Sequence, residues 1–283
     1  MTYRAPVRDQ TFILRDVLNL EAYADLPGFE DAGIDTVEQV LEEGARFCEE
    51  VLAPLNAVGD KEGCHWSADH TVRTPKGFKQ AFDKMVEAGW PALMADPAYG
   101  GQGLPAVVAT AFQEMISAAN MAFGMYPGLT AGAYAAIHTG GTDEQKALYL
   151  PKMGAAKWGG TMNLTEPQCG TDLGLLRTKA VPAGDGTYRI SGQKIWISAG
   201  EHDLTENIVH LVLARIEGAP AGVKGISLFI VPKFLPDADG NPGERNKLAC
   251  VGLEEKMAST AMRPASWPMT RPRVGCWAKK TPG

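Results

Sequence analysis

At 283 residues, 45% hydrophobic and 21% charged, the chain can hold one large domain or two ordinary ones around a sizeable apolar core. A net charge of −6 argues against the clustered basic surface of a nucleic-acid binder, so no nucleic-acid partner is expected. The opening Met1 to Gln10 lacks the apolar core of a secretory signal, and no stretch approaches the ~20 apolar residues of a membrane span. A cytoplasmic protein without a membrane span is the expectation. Its five cysteines, Cys48, Cys64, Cys169, Cys250 and Cys276, show no metal-ligand spacing and read as reduced thiols, with no metal site.

Residues up to about 155 read mainly as helix, five or six in number. Thr36 with Gln39 has the spacing of a capping box and opens a run carrying Val37, Val40, Leu41, Phe47, Val51 and Leu52 at helical period, which Pro54 is expected to end. A second helix is expected from Pro75 or Lys76 to Ala88, with Phe78, Phe82, Met85 and Val86 on one face and Gly89 as its stop. Tyr99-Gly100-Gly101-Gln102-Gly103 reads as a loop. An alanine-rich helix from Pro105 to about Ala122, buried on most sides, should carry Glu114 as a buried, paired carboxylate. Another should cover Leu129 to His138, and Thr142 to Gln145 caps a last one ending near Met153. His138, His202 and His210 lack metal spacing and read as structural or exposed.

The character changes at Trp158-Gly159-Gly160. Short β-branched runs follow at Thr178 to Val181, Thr187 to Ile190, Lys194 to Ile197, Ile208 to Ile216 and Ile226 to Val231, with Gly184-Asp185-Gly186 as a hairpin-type turn. Helices followed by antiparallel strands predict segregated α and β domains rather than βαβ units. Pro236 to Gly243 reads as a polar loop.

Two segments carry the chemistry: Leu164-Thr165-Glu166-Pro167-Gln168-Cys169-Gly170-Thr171-Asp172, and Gly192-Gln193-Lys194-Ile195-Trp196-Ile197-Ser198-Ala199-Gly200. Hydroxyl-rich, glycine-punctuated turns of this kind supply hydroxyl and backbone N–H donors at close approach, as a pyrophosphate or a flavin edge requires. From composition alone, Trp196 could equally be core and Thr165 a turn cap.

The first segment resembles the T-E-P-x-x-G-S-D signature of acyl-CoA dehydrogenases, with Thr171 in the serine position, and the second resembles their G-x-K-x-W-I-S/T segment. Asp96 to Gly103 resembles the family's P-x-x-Y-G-G-x-G loop, and Gly141 to Pro151 its G-T/S-x-x-Q-K-x-x-Y-L-P segment, so the similarity runs over roughly residues 35 to 257. The arm before residue 35 is similar to the subgroup that includes 3-methylmercaptopropionyl-CoA dehydrogenase.

The resemblance implies an N-terminal helical domain over 35–157 after an extension at 1–34, then an antiparallel β-barrel-like domain over 158–257 that holds FAD and acyl-CoA. It implies Thr165 and the backbone around Leu164 at flavin N1/O2, Ser198 at N5/O4, Gly170 and Thr171 at the pyrophosphate, and Trp196 along the ring. Met162 and Ile197 complete the implied FAD-binding set. Gly200-Glu201-His202-Asp203 lies where the substrate thioester could approach, and Cys169 reads as a small turn residue. The implied reaction is α,β-dehydrogenation of an acyl-CoA thioester, with electrons passed to an electron-transfer flavoprotein by a homo-oligomer. The base of that reaction belongs to a C-terminal helical domain, and no residue here matches it. No catalytic residue is therefore assigned, and the chain reads as truncated. A non-catalytic flavin- or acyl-CoA-binding module and a related acyl-CoA oxidase are the alternatives.

After Lys256-Met257 the family pattern K-M-G-I-x-G-x-x-T gives way to Ala258-Ser259-Thr260-Ala261-Met262-Arg263-Pro264-Ala265-Ser266-Trp267. The final 26 residues hold five basic residues, four prolines and no acidic residue, and no period survives, which predicts disorder. A basic interaction tail is one reading. A frameshift is another: with one added G and suitable codons, the shifted frame reads Gly-Ile-His-Gly-Asn-Ala-Thr-Cys-Val-Met-Ala, the family continuation.

Overall fold

Helices fill the first half of the chain and strands the second. The computed structural model describes residues 3–254 with their side chains and, beyond them, the backbone of 265–277. The expected end of the β-domain at 257, and tail residues 258–264 and 278–283, lie outside the described residues, as does the Cys276 side chain.

Six α-helices lie among the described residues: α1 (Val7–Phe12), α2 (Ile34–Phe47), α3 (Ala53–Glu62), α4 (Phe78–Glu87), α5 (Ala106–Gly140) and α6 (Asp143–Gly154). α2 starts at Ile34 after Gly33, so Thr36 already lies inside the helix and no side-chain cap bond forms at its start. The expected Thr36–Gln39 capping box is therefore absent. Pro54 does not end the run either. A π turn at Cys48–Leu52 resets the hydrogen-bond ladder, and Pro54 falls in the first turn of α3, where its missing N–H costs nothing. The α6 cap holds, with Thr142 Oγ1 accepting from Gln145 N at 3.3 Å and Thr142 N donating to Gln145 Oε1 at 2.9 Å.

The two helices expected over 105–138 are one long element with a break. Asn120 is extended (φ −160°, ψ 87°), and its side chain accepts from Phe123 N at 3.0 Å while donating to Leu52 O at 3.2 Å. Asn120 thus caps the second half of α5. Glu114 is exposed rather than buried, because Thr110, Glu114, Ala118 and Met121 form one solvent-facing stripe on an otherwise apolar helix.

The β half is a seven-stranded sheet of β3 (Trp158–Asn163), β4 (Lys179–Pro182), β5 (Thr187–Ile197), β6 (Asn207–Ile216), β7 (Ile226–Pro232), β10 (Gly252–Leu253) and β11 (Ala265–Trp277). β5 unites the two runs expected at 187–190 and 194–197. β4 and β5 form a hairpin through Gly184 (φ +89°) and Gly186 (φ +83°). Most pairings are antiparallel, as expected, but β6 runs parallel to β3 and to β4, because the turns and loops between them carry the chain back to the same end. The sheet curls on itself, β11 pairing with β5 on one side and β7 on the other, but β4 and β6 share only two residue pairs, so it is barrel-like without a fully closed barrel. Two small hairpins complete the fold: β1 (His65–Trp66) with β2 (Val72–Arg73), and β8 (Phe234–Pro236) with β9 (Pro242–Arg245). The latter lies partly in the stretch expected as plain loop.

The tail also departs from expectation. Ala265–Trp277 is a strand rather than disordered, pairing antiparallel with β5, β7 and β10 with register shifts at 265/267 and 270/273. Backbone pairing needs no side-chain period, and the edges of β5 and β7 offer N–H and C=O groups to any extended segment.

Three apolar clusters hold the molecule together. One lies among the helices, one inside the sheet, and one at the junction, where Ala133, Ile137, Leu150 and Met153 meet Trp158, Val209, Leu211 and Ile230. At that junction a Cβ on Gly160 would sit 2.6 Å from Ala133 Cβ, so glycine is what lets β3 lie against α5.

Candidate functional site

The two glycine-punctuated segments meet side by side. The first leaves the end of β3, and the second is the last part of β5 and the turn beyond. Ile195 N donates to Thr165 O at 3.0 Å, so residues 164–165 run along β5. Glu166 and Cys169 then exchange two backbone bonds of 2.8 and 3.1 Å that close a tight turn, and Gly170 folds back until a Cβ there would lie 3.2 Å from Thr165 Cγ2.

A buried ion pair locks this contact. Lys194 Nζ donates to Glu166 Oε1 and to Leu164 O, both at 2.9 Å, and the two side chains are 0% and 3% exposed. The carboxylate is otherwise saturated: it accepts from Thr178 Oγ1 (2.5 Å), Thr178 N (3.0 Å), Arg177 N (2.8 Å) and Gln168 Nε2 (2.6 Å). Burial alone would raise this carboxyl, but the Thr178, Arg177 and Lys194 donors hold it down at about 2. Burial pulls the Lys194 ammonium below its ordinary value against the opposing hold of Glu166. Gly192 makes room, since a Cβ there would lie 2.9 Å from Thr178 Cα. In the sequence Glu166 and Lys194 stand only as letters of the two segments. One acidic and one basic residue in two adjoining apolar-flanked turns were the available signal.

The remaining site residues spread outward from this lock. Met162, on β3, is 36% exposed and Trp196, on β5, is 42% exposed. Leu164 and Thr165 are half-buried, Gly170 and Thr171 are exposed, Ile197 is buried in the sheet core and Ser198 is half-buried just past β5. The lock brings Leu164, Thr165 and Gly170 against Lys194 and Ile195, with Trp196 next along the strand. Thr171 lies farther out on the turn, beside Asp172, whose side chain caps Gly174 N at 2.9 Å. Trp196 (φ +59°) and Ala199 (φ +52°) both adopt the left-handed backbone that side chains disfavour. Ile197 O accepts from Gly200 N at 3.3 Å, closing a turn with Ser198 and Ala199 at its tip. Such strain persists only where surrounding packing imposes it, and it is common at ligand sites.

Within Gly200 to Asp203 only Asp203 is exposed; Gly200, Glu201 and His202 are buried. Glu201 and His202 are 4% exposed. The Glu201 carboxylate pairs with Lys233 and lies 3.7 Å from Arg245, and burial raises its proton affinity. Burial also pushes His202 down to about 3, so the ring is neutral at pH 7 and its Nδ1 accepts from Leu204 N at 3.2 Å. Cys169 is buried in the turn. Among the described residues no group of three His, Cys, Asp or Glu side chains could hold a metal ion, and no helix is long and apolar enough to cross a membrane.

Comparison with known proteins decides the family. Residues 35–157 match the family described as acyl-CoA dehydrogenase, N-terminal domain, and residues 161–257 that described as acyl-CoA dehydrogenase, middle domain. The chain belongs to the acyl-CoA dehydrogenase family. It is 48% identical over 261 residues to 3-methylmercaptopropionyl-CoA dehydrogenase of Ruegeria pomeroyi, covering 92% of this chain and 44% of that protein. It is 43% identical over 260 residues to the broad-specificity linear acyl-CoA dehydrogenase FadE5 of Mycobacterium tuberculosis, covering 90% of this chain and 42% of the relative. The chain thus spans less than half the length of these two relatives. A solved acyl-CoA dehydrogenase complexed with FAD from Bacillus anthracis shares the fold at a TM-score of 0.67 and 23% identity, over 87% of this chain and 37% of that one. The acyl-CoA dehydrogenase family binds FAD.

Proposed function

We propose that this acyl-CoA dehydrogenase chain supplies the flavin- and acyl-CoA-binding part of an FAD-dependent α,β-dehydrogenase of acyl-CoA thioesters. The observation that carries the reading is the lock of Glu166 on Lys194 and Leu164, which sets both glycine-punctuated segments side by side. In this reading Thr165 and the Leu164 backbone face the flavin N1/O2 edge, and Ser198 faces N5/O4. Gly170 and Thr171 receive the pyrophosphate, Trp196 packs along the ring and Met162 frames it, while Ile197, its side chain buried in the sheet core, offers the ring only its backbone. The residues suit such a group: an exposed aromatic side chain held in a strained backbone lies beside hydroxyls and a glycine turn open to close approach.

When bound, the flavin supplies a hydride acceptor for the substrate β-carbon. What the chain's own residues do is orient and bind. The Thr165 and Ser198 hydroxyls would hold the flavin by hydrogen bonds, and Trp196 would keep water from it. Removal of the α-proton, which is only weakly acidic beside a thioester, is assigned to no residue of this chain. An electron-transfer flavoprotein is the proposed electron acceptor, a homo-oligomer in the cytoplasm the proposed state.

The domain division follows the same reading: 1–34 an extension, 35–157 helical, 158–257 the flavin-binding β-domain, and 258–283 a tail translated out of frame. On that reading no dehydrogenase activity is expected of these 283 residues by themselves. Dye reduction with an acyl-CoA tests this, and sequencing across the Met257 codon tests the frame. A continuous frame with no base-bearing domain encoded downstream removes the frameshift reading.

For the flavin site, FAD is titrated into the chain and flavin fluorescence followed. Weak binding is expected, and Thr165→Ala and Ser198→Ala should each weaken it by about 3- to 10-fold, the worth of one hydrogen bond. Affinity unchanged in both variants overturns the site assignment. Peroxide release in air during turnover with acyl-CoA would favour the oxidase reading instead.

A further inference from the structure

Each half of the molecule sends a short segment into the other's core. From the helical half, the β1–β2 hairpin places Cys64 and Val72 in the sheet core, and Trp66 Nε1 and His70 Nδ1 both donate to Cys250 O at 2.8 and 2.9 Å. From the sheet half, the loop after β5 places Ala199 and Leu204, each 3% exposed, in the helical core. The two insertions are tied to each other. Asp203 Oδ1 accepts from Thr74 N at 3.0 Å and from Thr74 Oγ1 at 2.7 Å, and Thr74 follows directly on β2. Beside this tie the His202 ring meets Tyr126 of α5 edge-on at 5.2 Å. Glu201 turns back to Lys233 and Arg245 of the sheet half.

Ser198 therefore sits between Ile197, anchored in the sheet core, and Ala199, anchored in the helical core. The left-handed backbone of Ala199 falls where this opposed anchoring turns the chain, and Trp196, also left-handed, directly precedes the first anchor. Without the anchor on the helical side, a non-glycine residue at φ +52° has an easy route back to an extended conformation.

We propose that Asp203 and Thr74 are positioning residues: their clasp fixes the Trp196–Ser198 turn to the helical half, so that the setting of the two cores sets the direction of the Ser198 hydroxyl and the Trp196 ring. The consequence for flavin rests on the function proposed above; the clasp itself does not.

The test uses the full 283-residue chain, with Asp203→Ala and the milder Thr74→Val, and with Asp203→Asn and Thr74→Ser as conservative partners that keep an acceptor or a hydroxyl. Amide hydrogen exchange is read over 196–204 and over α2 as an internal reference. Asp203→Ala should speed exchange across 196–204 by about tenfold or more, with α2 unchanged, and Thr74→Val should do so more weakly. Asp203→Asn and Thr74→Ser should restore most of the protection. FAD affinity, measured in parallel, should fall and recover with it. Exchange over 196–204 that stays at the unmodified level, or that rises equally in α2, overturns the clasp. Local loosening in a chain that binds no FAD keeps the clasp and removes the flavin reading. FAD binding with unchanged exchange and affinity in both variants does the reverse.

Discussion

A lysine with no exposed side-chain surface is tolerable only when its charge is matched at close range, because an isolated buried ammonium carries a desolvation cost of several kcal/mol. Lys194 meets that condition through Glu166 and the Leu164 carbonyl, so taking away one partner of the pair leaves the other charge buried and unmatched. Glu166→Ala should cost about 3–5 kcal/mol and lower the thermal midpoint, while Lys194→Met with Glu166→Leu together should cost much less. Equal losses in the single and double variants would count against this coupling. The same carboxylate gives a pH signature. Its folded value of about 2 lies below the ordinary 4.5, so its contribution is fully present above pH 4.5 and is lost as pH falls from there toward 2. Glu166→Gln should flatten the stability profile over that window and leave the profile above pH 6 unchanged in shape, as urea unfolding at a series of pH values can measure.

At the scale of elements, Asn120 is the residue on which the longest helix turns. Its side chain caps Phe123 N and donates to Leu52 O inside the core, so Asn120→Ala removes a cap and a buried hydrogen bond that ties α5 to the start of α3. About 1–3 kcal/mol of stability should go with it. A cost below 0.5 kcal/mol would mean that α5 does not need this break. The sequence announces elements like α6, whose Thr142–Gln145 box is purely local, and the change from helical to strand character at Trp158. It hides those whose cause is tertiary. Asn120 reads as an ordinary polar residue until Leu52 O is seen beside it. β3 holds two glycines in six residues and carries no alternation because α5 covers it, and β5 reads as two strands because Gly192, needed for the passage over Thr178, interrupts the β-branched run. The candidate site was legible as two segments in a family pattern. Their lock was not, since a buried Glu–Lys pair leaves no periodic mark, and the parallel pairing of β6 depends on loops that composition cannot aim.

Over the whole molecule, the question is whether a helical half and a sheet half behave as one body. A simple abutment would let them melt separately, as domains joined by a modest polar interface do. Here the apolar residues cross in both directions, Cys64 and Val72 into the sheet, Ala199 and Leu204 into the helices, and the junction cluster adds Trp158 packed against Tyr149 at 5.9 Å between ring centroids. Unfolding either half strips buried contacts from the other, so the energetic coupling is that of a shared core rather than of a surface. The halves should therefore unfold in one transition, with far-UV circular dichroism, dominated by the helices, and tryptophan fluorescence, read in a Trp90→Phe background because Trp90 stacks on Phe112 in the helical core, giving coincident midpoints in urea. Leu204→Ala, made in a loop that belongs to the sheet half by sequence, should destabilise the helices by about 2–4 kcal/mol and shift both signals together. Two separated transitions, or a Leu204→Ala shift confined to the fluorescence signal, would show that the insertions decorate the interface without joining the halves, and would remove the physical basis for a turn at Ser198 that senses both.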